Sequence, residues 1–271
     1  MLKPGLYIIA TPIGNLGDIT LRALETLKAC DVIVCEDTRV TKKLLSHFGI
    51  QKPLLSYHDY NADEVRPILI KKLHQDQIVG LVSDAGTPLI SDPGYKLVRH
   101  CQEENIYVTT LPGASSVLAG LILSGMPSNR FTFCGFVDKS HFPSLASYES
   151  TLIFFESAKR LLTTLVEMKA VFNNRDCSVV REISKIFEES RRGSFDDLIH
   201  YYTHEGYAKG EVVIVLGPPA KETLSDENIC HALRMALQSH TLKDAVTLVS
   251  GSLNVPKKHV YKLAINLRND S

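Results

Sequence analysis

No cysteine in this chain belongs to a CxxC pair. The six, at 30, 35, 101, 134, 177 and 230, are scattered. That spacing excludes a zinc knuckle or a thioredoxin-like site and leaves reduced, mostly core thiols. An excess of either charge is also missing, because 30 Lys and Arg stand against 30 Asp and Glu. The balance is 13 to 13 through residue 130, 10 to 12 over 131–218 and 7 to 5 beyond. There is no basic arm, so any surface for a polyanion must be local. The opening MLKPGLYIIATP holds too short an apolar run for a signal peptide or membrane span. A cytoplasmic protein with no membrane partner is expected. GxGxxG, a phosphate-loop lysine and GxSxG are lacking, and the histidines show no metal-ligand spacing. No metal site is expected.

What is present is an ordinary globular composition, 44% hydrophobic and 22% charged over 271 residues. Strand-like and helix-like runs alternate through the first half, which calls for a parallel or mostly parallel sheet with helices packed on it. Asn61 with Glu64 has the spacing of a capping box for a helix reaching about His74. Met126-Pro127-Ser128-Asn129 marks a boundary. A second α/β unit follows, with strands near 131–134, 151–155, 177–181 and 211–216. Gly217-Pro218-Pro219 closes it. The last fifty residues read as small helices, near 223–238, 242–250 and 256–267, with Thr241 and Asp244 forming another capping box. The expected division is 1–125, an α/β domain carrying ligand loops; 126–219, a second α/β domain closing a cleft; and 220–271, a helical module.

Three segments follow strands of the first unit. Thr11-Pro12-Ile13-Gly14-Asn15-Leu16-Gly17-Asp18 reads either as a glycine turn that lets a ligand approach backbone amides or as a plain turn with Asp18 or Thr20 capping a helix. Ser83-Asp84-Ala85-Gly86-Thr87-Pro88-Leu89-Ile90-Ser91-Asp92-Pro93-Gly94 is the sharpest local feature. It should lie at the carboxyl edge of the sheet, where open α/β sheets bind ligands. Asp84 could accept, and Thr87 donate, a hydrogen bond there, the plainer alternative being a long turn with Asp92 as a cap. Leu111-Pro112-Gly113-Ala114-Ser115-Ser116 leaves space and free N–H groups at a helix start, or serves close helix packing. Charged groups after other strands, Glu36-Asp37-Thr38-Arg39, Glu156 with Arg160, and Arg181-Glu182 with Lys185, suit phosphate contacts or surface pairing.

Taken in order, TPIGNLGDIT at 11–20, EDTR at 36–39, SDAGTPLISDPG at 83–94 and LPGAS at 111–115 resemble the 16S ribosomal RNA cytidine 2′-O-methyltransferases of the tetrapyrrole methylase superfamily. NRFTFCGF at 129–136, FFES…R at 154–160, REISK at 181–185 and KGE at 209–211 extend the resemblance over nearly the whole chain. Where family members often read FYESPHR, this chain has Phe154-Phe155-Glu156-Ser157-Ala158-Lys159-Arg160, which argues against a catalytic histidine there. The resemblance implies a two-domain α/β tetrapyrrole methylase-like fold with a small C-terminal helical module. It also implies a homodimer, S-adenosylmethionine in the cleft between the domains, and as target the decoding-region cytidine 1402 of 16S rRNA in the small ribosomal subunit. By the same resemblance Thr11, Pro12, Gly14, Asp84, Ala85, Gly86, Thr87, Ile90, Pro112, Ser115 and Ser116 would hold the donor. Phe155, Glu156, Gly217 and Pro218 would close over it. Asp37, Glu182 and Lys185 are the expected catalytic groups, because methyl transfer to a hydroxyl needs an acceptor for its proton or a cation beside the developing oxyanion. Arg39, Arg130, Arg160, Arg181 and Arg192 are the expected phosphate contacts. A methylase acting on a small tetrapyrrole and a silent RNA-binding module are the competing readings.

Overall fold

Short apolar runs become central parallel strands when helices cover both faces, and the first half follows that rule. The computed structural model describes residues 2–204, 210–220, 226–253 and 255–269. Its first sheet comprises β1 (Gly5–Ile9), β2 (Val32–Cys35), β3 (Leu54–Ser56), β4 (Ile78–Leu81) and β5 (Val108–Leu111), in the order β3-β2-β4-β1-β5. Every pair is parallel. Helices α1 (Leu21–Ala29), α2 (Thr38–His47), α3 (Ala62–Leu73), α4 (Tyr95–Glu103) and α5 (Ser116–Ser124) connect or follow these strands. Because all strands point one way, the segments after β1, β2, β4 and β5 emerge at a single edge.

The second sheet is mixed and holds one strand more than expected. It comprises β6 (Phe131–Phe136), β7 (Thr151–Ser157), β8 (Cys177–Arg181), β9 (Glu189–Gly193) and β10 (Glu211–Leu216), in the order β6-β7-β10-β8-β9. Only β6 and β7 pair in parallel; the other three pairings are antiparallel. Strand β9, ESRRG, was not expected, because its charged residues give no apolar alternation. It survives as an edge strand, where charge is tolerated, with Arg181 standing opposite Glu189. Helices α6 (Phe142–Leu145), α7 (Leu161–Phe172) and α8 (Phe195–His204) belong to this half. The capping box at Asn61 is also corrected. Its side chain is spent on the His58 N–H (2.8 Å) and the Ser56 carbonyl (3.0 Å), so it caps nothing.

Helix α5 joins the halves. Its Val117 and Leu121 pack with Ile153, Val180, Val213 and Val215 of the second sheet. A Cβ at Gly120 would sit 2.7 Å from Val213 Cγ1, so only glycine lets the helix approach this closely. At the other end of β10, the buried Arg175 guanidinium donates to the carbonyls of Ser150 (3.1 Å), Gly217 (2.9 Å), Ala146 (3.0 Å) and Tyr148. It ties three loop segments together.

Two compact units result, Met1–Pro219 with both sheets and Ala220–Ser271. The second is a bundle of α9 (Asp226–Leu237), α10 (Leu242–Ser252) and α11 (Lys257–Asn269). Ile229, Leu233, Val246, Val249 and Val260 form its core. The Thr241 hydroxyl caps α10 by accepting from the Asp244 N–H (3.3 Å). The expected start of its first helix at Thr223 lies outside the described residues. Among the described residues no helix is long and apolar enough to cross a membrane.

Candidate active site between the two sheets

Three loops of the first half are stitched together at the carboxyl edge of its sheet. The Thr11 N–H donates to the Gly86 carbonyl (2.8 Å), and the Gly86 N–H donates back to the Thr11 carbonyl (3.0 Å). The Thr87 hydroxyl donates to the Ala114 carbonyl (3.0 Å). Thr87 is thereby a clip between loops. Ser115 is likewise occupied, accepting from the Leu118 N–H as the cap of α5. Leu89 (φ 73°) and Ser91 (φ 65°) lie in the left-handed region, which costs a non-glycine residue of order 1 kcal/mol each and is found where loops are shaped for function.

These loops face the start of β10 and the end of β7 across a cavity of about 230 Å³. Ile13, Asp84–Thr87, Ile90–Asp92 and Ser115–Val117 line one side. Phe136, Phe155, Glu156, Ile183 and Glu211–Val213 line the other. The strand order explains why the second side converges. Antiparallel pairing puts the ends of β7 and β8 beside the start of β10.

The two walls differ in charge. Burial raises the Asp84 carboxyl above the usual range. Burial, reinforced by Glu36 and Asp84, lifts Asp92 to about 6. Glu36 is raised by burial and by Asp84. Asp84 Oδ1 accepts only the Asp37 N–H (3.1 Å) among the described contacts. This wall is short of positive charge and suits a cationic ligand with an apolar portion. On the opposite side the charges satisfy one another. The buried Glu156 carboxylate accepts from the Ser157 N–H (2.7 Å), Arg160 Nε (2.8 Å) and the Thr164 hydroxyl (2.6 Å). Lys185 Nζ lies 3.0 Å from Glu182 and 3.5 Å from Glu211.

Of the residues expected around the donor, Asp84, Ala85, Gly86, Thr87, Ile90, Ser115, Ser116, Phe155 and Glu156 line this cavity. The turn at 11–14 reaches it through Ile13 only. Thr11 is buried behind the wall, and Pro12, Gly14 and Pro112 do not line it. Gly14 has a different place. A Cβ there would lie 2.6 Å from the Ile183 carbonyl and 2.6 Å from Lys185 Cγ. The adjoining Asp18 carboxylate accepts from the Ser184 hydroxyl. Gly217 and Pro218 are placed at the end of β10 opposite the cavity, where the Gly217 N–H meets the Asp176 carbonyl (2.8 Å). They do not close over it, because β10 runs away from the cleft.

The charged residues are also redistributed. Asp37 caps α2 and binds Arg39 (2.6 Å), which holds its carboxyl down at about 2. Glu182 and Lys185 pair at the rim, neither lining the cavity. Arg181, with a side chain 16% exposed, is locked against Glu189, so it is not a free phosphate contact. Arg192 binds Asp176 (2.7 Å) and the Gly125 carbonyl near the far edge of the second sheet. Arg39 and Arg160 are ion-paired but largely exposed, and Arg130 is exposed. Lys209 lies outside the described residues. Ile13, Ser91, Asp92, Val117, Phe136, Ile183 and Glu211–Val213 were missed as lining groups. Ile13, Ser91 and Asp92 stood in the singled-out loops and Val117 directly follows one, whereas only the strand order brings the others to the cleft. Among the described residues no cluster of His, Cys, Asp or Glu could hold a metal ion.

Known proteins share this fold. The family model of the Tetrapyrrole (Corrin/Porphyrin) Methylases matches residues 5–199. The ribosomal RNA small subunit methyltransferase I of Mesorhizobium japonicum is 40% identical over 100% of this chain and 94% of its own. That of Synechocystis sp. is 42% identical over 98% of this chain and 99% of its own. Among solved structures, a Thermus thermophilus uroporphyrin-III-C-methyltransferase aligns with a TM-score of 0.58 at 18% identity, covering 79% of this chain and 94% of that one. A cobalt precorrin-4 methyltransferase aligns at 0.59 and 18%, covering 78% and 94%. Fold and full-length sequence similarity agree, and the chain belongs to the ribosomal RNA small subunit methyltransferase I family, within the tetrapyrrole methylases.

Proposed function

We propose that the chain transfers a methyl group from S-adenosylmethionine to the ribose 2′-hydroxyl of a cytidine in 16S rRNA, position 1402 by family resemblance. The observation that carries the reading is the acidic, half-buried wall of Asp84 and Asp92 beside an apolar one. A donor with a positive sulfonium, a positive amino group and a flat base fits that pair of walls. When bound, the donor supplies a methyl on a good leaving group. Asp84 and Asp92 offset its positive charge. The apolar side chains of Ile13, Ile90, Phe155 and Val213 take its base and exclude water. Backbone groups of Ala85, Gly86 and Ser116 approach it with only small side chains beside them, while Thr87 and Thr11 fix the loops that present them.

The residues around the cleft mouth then align the ribose oxygen with the methyl carbon. Asp37, held at about 2 by Arg39, is a weak proton acceptor at neutral pH, so it acts by orienting Asp84 through its backbone N–H. Lys185, raised by its neighbours Glu182 and Glu211, stays protonated and favours the developing oxyanion. Glu182 positions Lys185. Arg39, Arg130 and Arg160 present exposed guanidinium groups to substrate phosphates, Arg39 exchanging its exposed pair with Asp37 for them. Residues 1–125 and 126–219 work as the two lobes of this machine, in the cytoplasm. Two copies associate through the exposed apolar surface of Leu118, Ile122, Ile186 and Phe187. Sedimentation is expected to show a dimer, with I122E a monomer.

The direct test incubates the protein with methyl-labelled donor and small subunits or naked 16S rRNA, then cleaves the RNA in alkali. A 2′-O-methyl group blocks cleavage at its own phosphodiester, so a single protected position at that cytidine is expected. No label on RNA, or label away from that cytidine, overturns the reading.

A further inference from the structure

We propose that the C-terminal helical unit is an RNA-phosphate clamp, with a groove between α10 and α11 as its seat. A cavity of about 420 Å³ there is lined by Lys243, Val246, Lys257, Lys258 and Tyr261. Three lysines from two helices converge on it, and none makes an ion pair among the described residues. The neighbouring acids are engaged elsewhere. Asp226 binds His259 (2.7 Å), and Asp244 accepts the Thr241 hydroxyl (2.6 Å). The lining of the groove itself carries three lysines and no carboxylate. Lys257 and Lys258 stand in the first turn of a thirteen-residue helix, so the helix dipole adds to the same field. Tyr261, 49% exposed, offers a ring for a base or ribose beside the phosphates.

The reach of the relatives along the chain points the same way. The solved methylases of the shared fold are spanned almost entirely yet leave about a fifth of this chain uncovered. The ribosomal RNA methyltransferase relatives of Mesorhizobium japonicum and Synechocystis sp. cover nearly all of it, although that of Rickettsia prowazekii covers 80%. A unit of 52 residues, 220 to 271, has about the length of that fifth, and the matched family model also ends before it, at residue 199. It is an addition to a fold that otherwise suffices for methyl transfer. Phosphate contact also suits it better than the second sheet, where Arg181 and Arg192 are held by Glu189 and Asp176.

The inference rests on the rRNA reading, and its test separates the two. Binding of the full chain to small subunits is measured at several salt concentrations for the wild type, for K243E/K257E/K258E and for a control, K28E/K71E/K96E, that reverses three exposed lysines of the sheet unit. For every phosphate no longer neutralised, the slope of log affinity against log salt becomes shallower by about 0.7 to 0.9. The groove variant should bind at least about tenfold more weakly near physiological salt, with a slope shallower by about 2 to 3. Its donor affinity, read by calorimetry, should be unchanged. The control should bind nearly as the wild type does. Should the Glu variant unfold by circular dichroism, K243Q/K257Q/K258Q replaces it and should show the same shallower slope. Wild-type binding by the groove variant, an equal weakening in the control, or a weakening with no change of slope overturns the clamp. A wild-type protein that binds neither subunits nor 16S rRNA overturns the rRNA reading instead.

Discussion

The two walls of the cleft are built on opposite electrostatic plans. On the first-half side, loops shaped by backbone geometry present carboxyls without ion-pair partners among the described residues, and burial, with Glu36 and Asp84 nearby, lifts Asp92 to about 6. On the second-half side every acid near the cleft has a partner, as Glu156 does with Arg160 and Glu182 with Lys185. One wall is incomplete until a ligand arrives, and the other is complete without one. The charges of the second half serve its own structure, whereas those of the first half are held for a visitor.

The largest effect should come from breaking the self-sufficient half. Arg175→Ala strands four carbonyls, three of them bonded at 3.1, 2.9 and 3.0 Å. A loss of about 3 kcal/mol or more in denaturant unfolding is expected. The first half should respond in the opposite manner. Asp84→Asn keeps the oxygen that accepts the Asp37 N–H but removes the charge. Calorimetry should show donor affinity down about tenfold, with the unfolding midpoint nearly unmoved. A large stability change in D84N would erase the contrast between the walls.

A finer test uses pH. The folded-state carboxyl of Asp92 is raised, so its contribution to stability is full below its ordinary value near 3.8 and is lost as pH rises through about 6. A cation beside it favours the ionised form. Donor affinity should therefore rise several-fold between pH 5 and pH 7 and level off above, while Asp92→Asn should flatten that rise. Calorimetric titrations across the range read both. The smallest effect on ligand binding should belong to Arg181→Gln, which loses its partner Glu189 inside the second sheet. About 1–2 kcal/mol of stability should go, with the salt dependence of RNA binding unchanged.

Much of the first wall was legible because its information is local. Asp84, Gly86 and Ser115 sit in segments whose glycine, proline and small residues follow apolar strands, and a parallel sheet sends all such segments to one edge. The second wall was legible only through family resemblance, and there incompletely. Val212 and Val213 look like any buried strand. Their place in the cleft depends on β10 running antiparallel between β7 and β8, a pairing that no short-range pattern encodes. The same blindness misplaced Gly217 and Pro218, which lie in a motif at a strand's end but at its wrong end. Arg181 and Arg192 looked available because their partners, Glu189 and Asp176, are neighbours through β9, a strand without apolar alternation.

At Gly14 the backbone of one half rests directly on that of the other, with room for no more than a hydrogen atom before the Ile183 carbonyl. The gap between the walls is consequently set by main chain against main chain, at a stop that side-chain rotation cannot move. A ligand entering this gap spends little of its binding energy on bringing the jaws to their working distance.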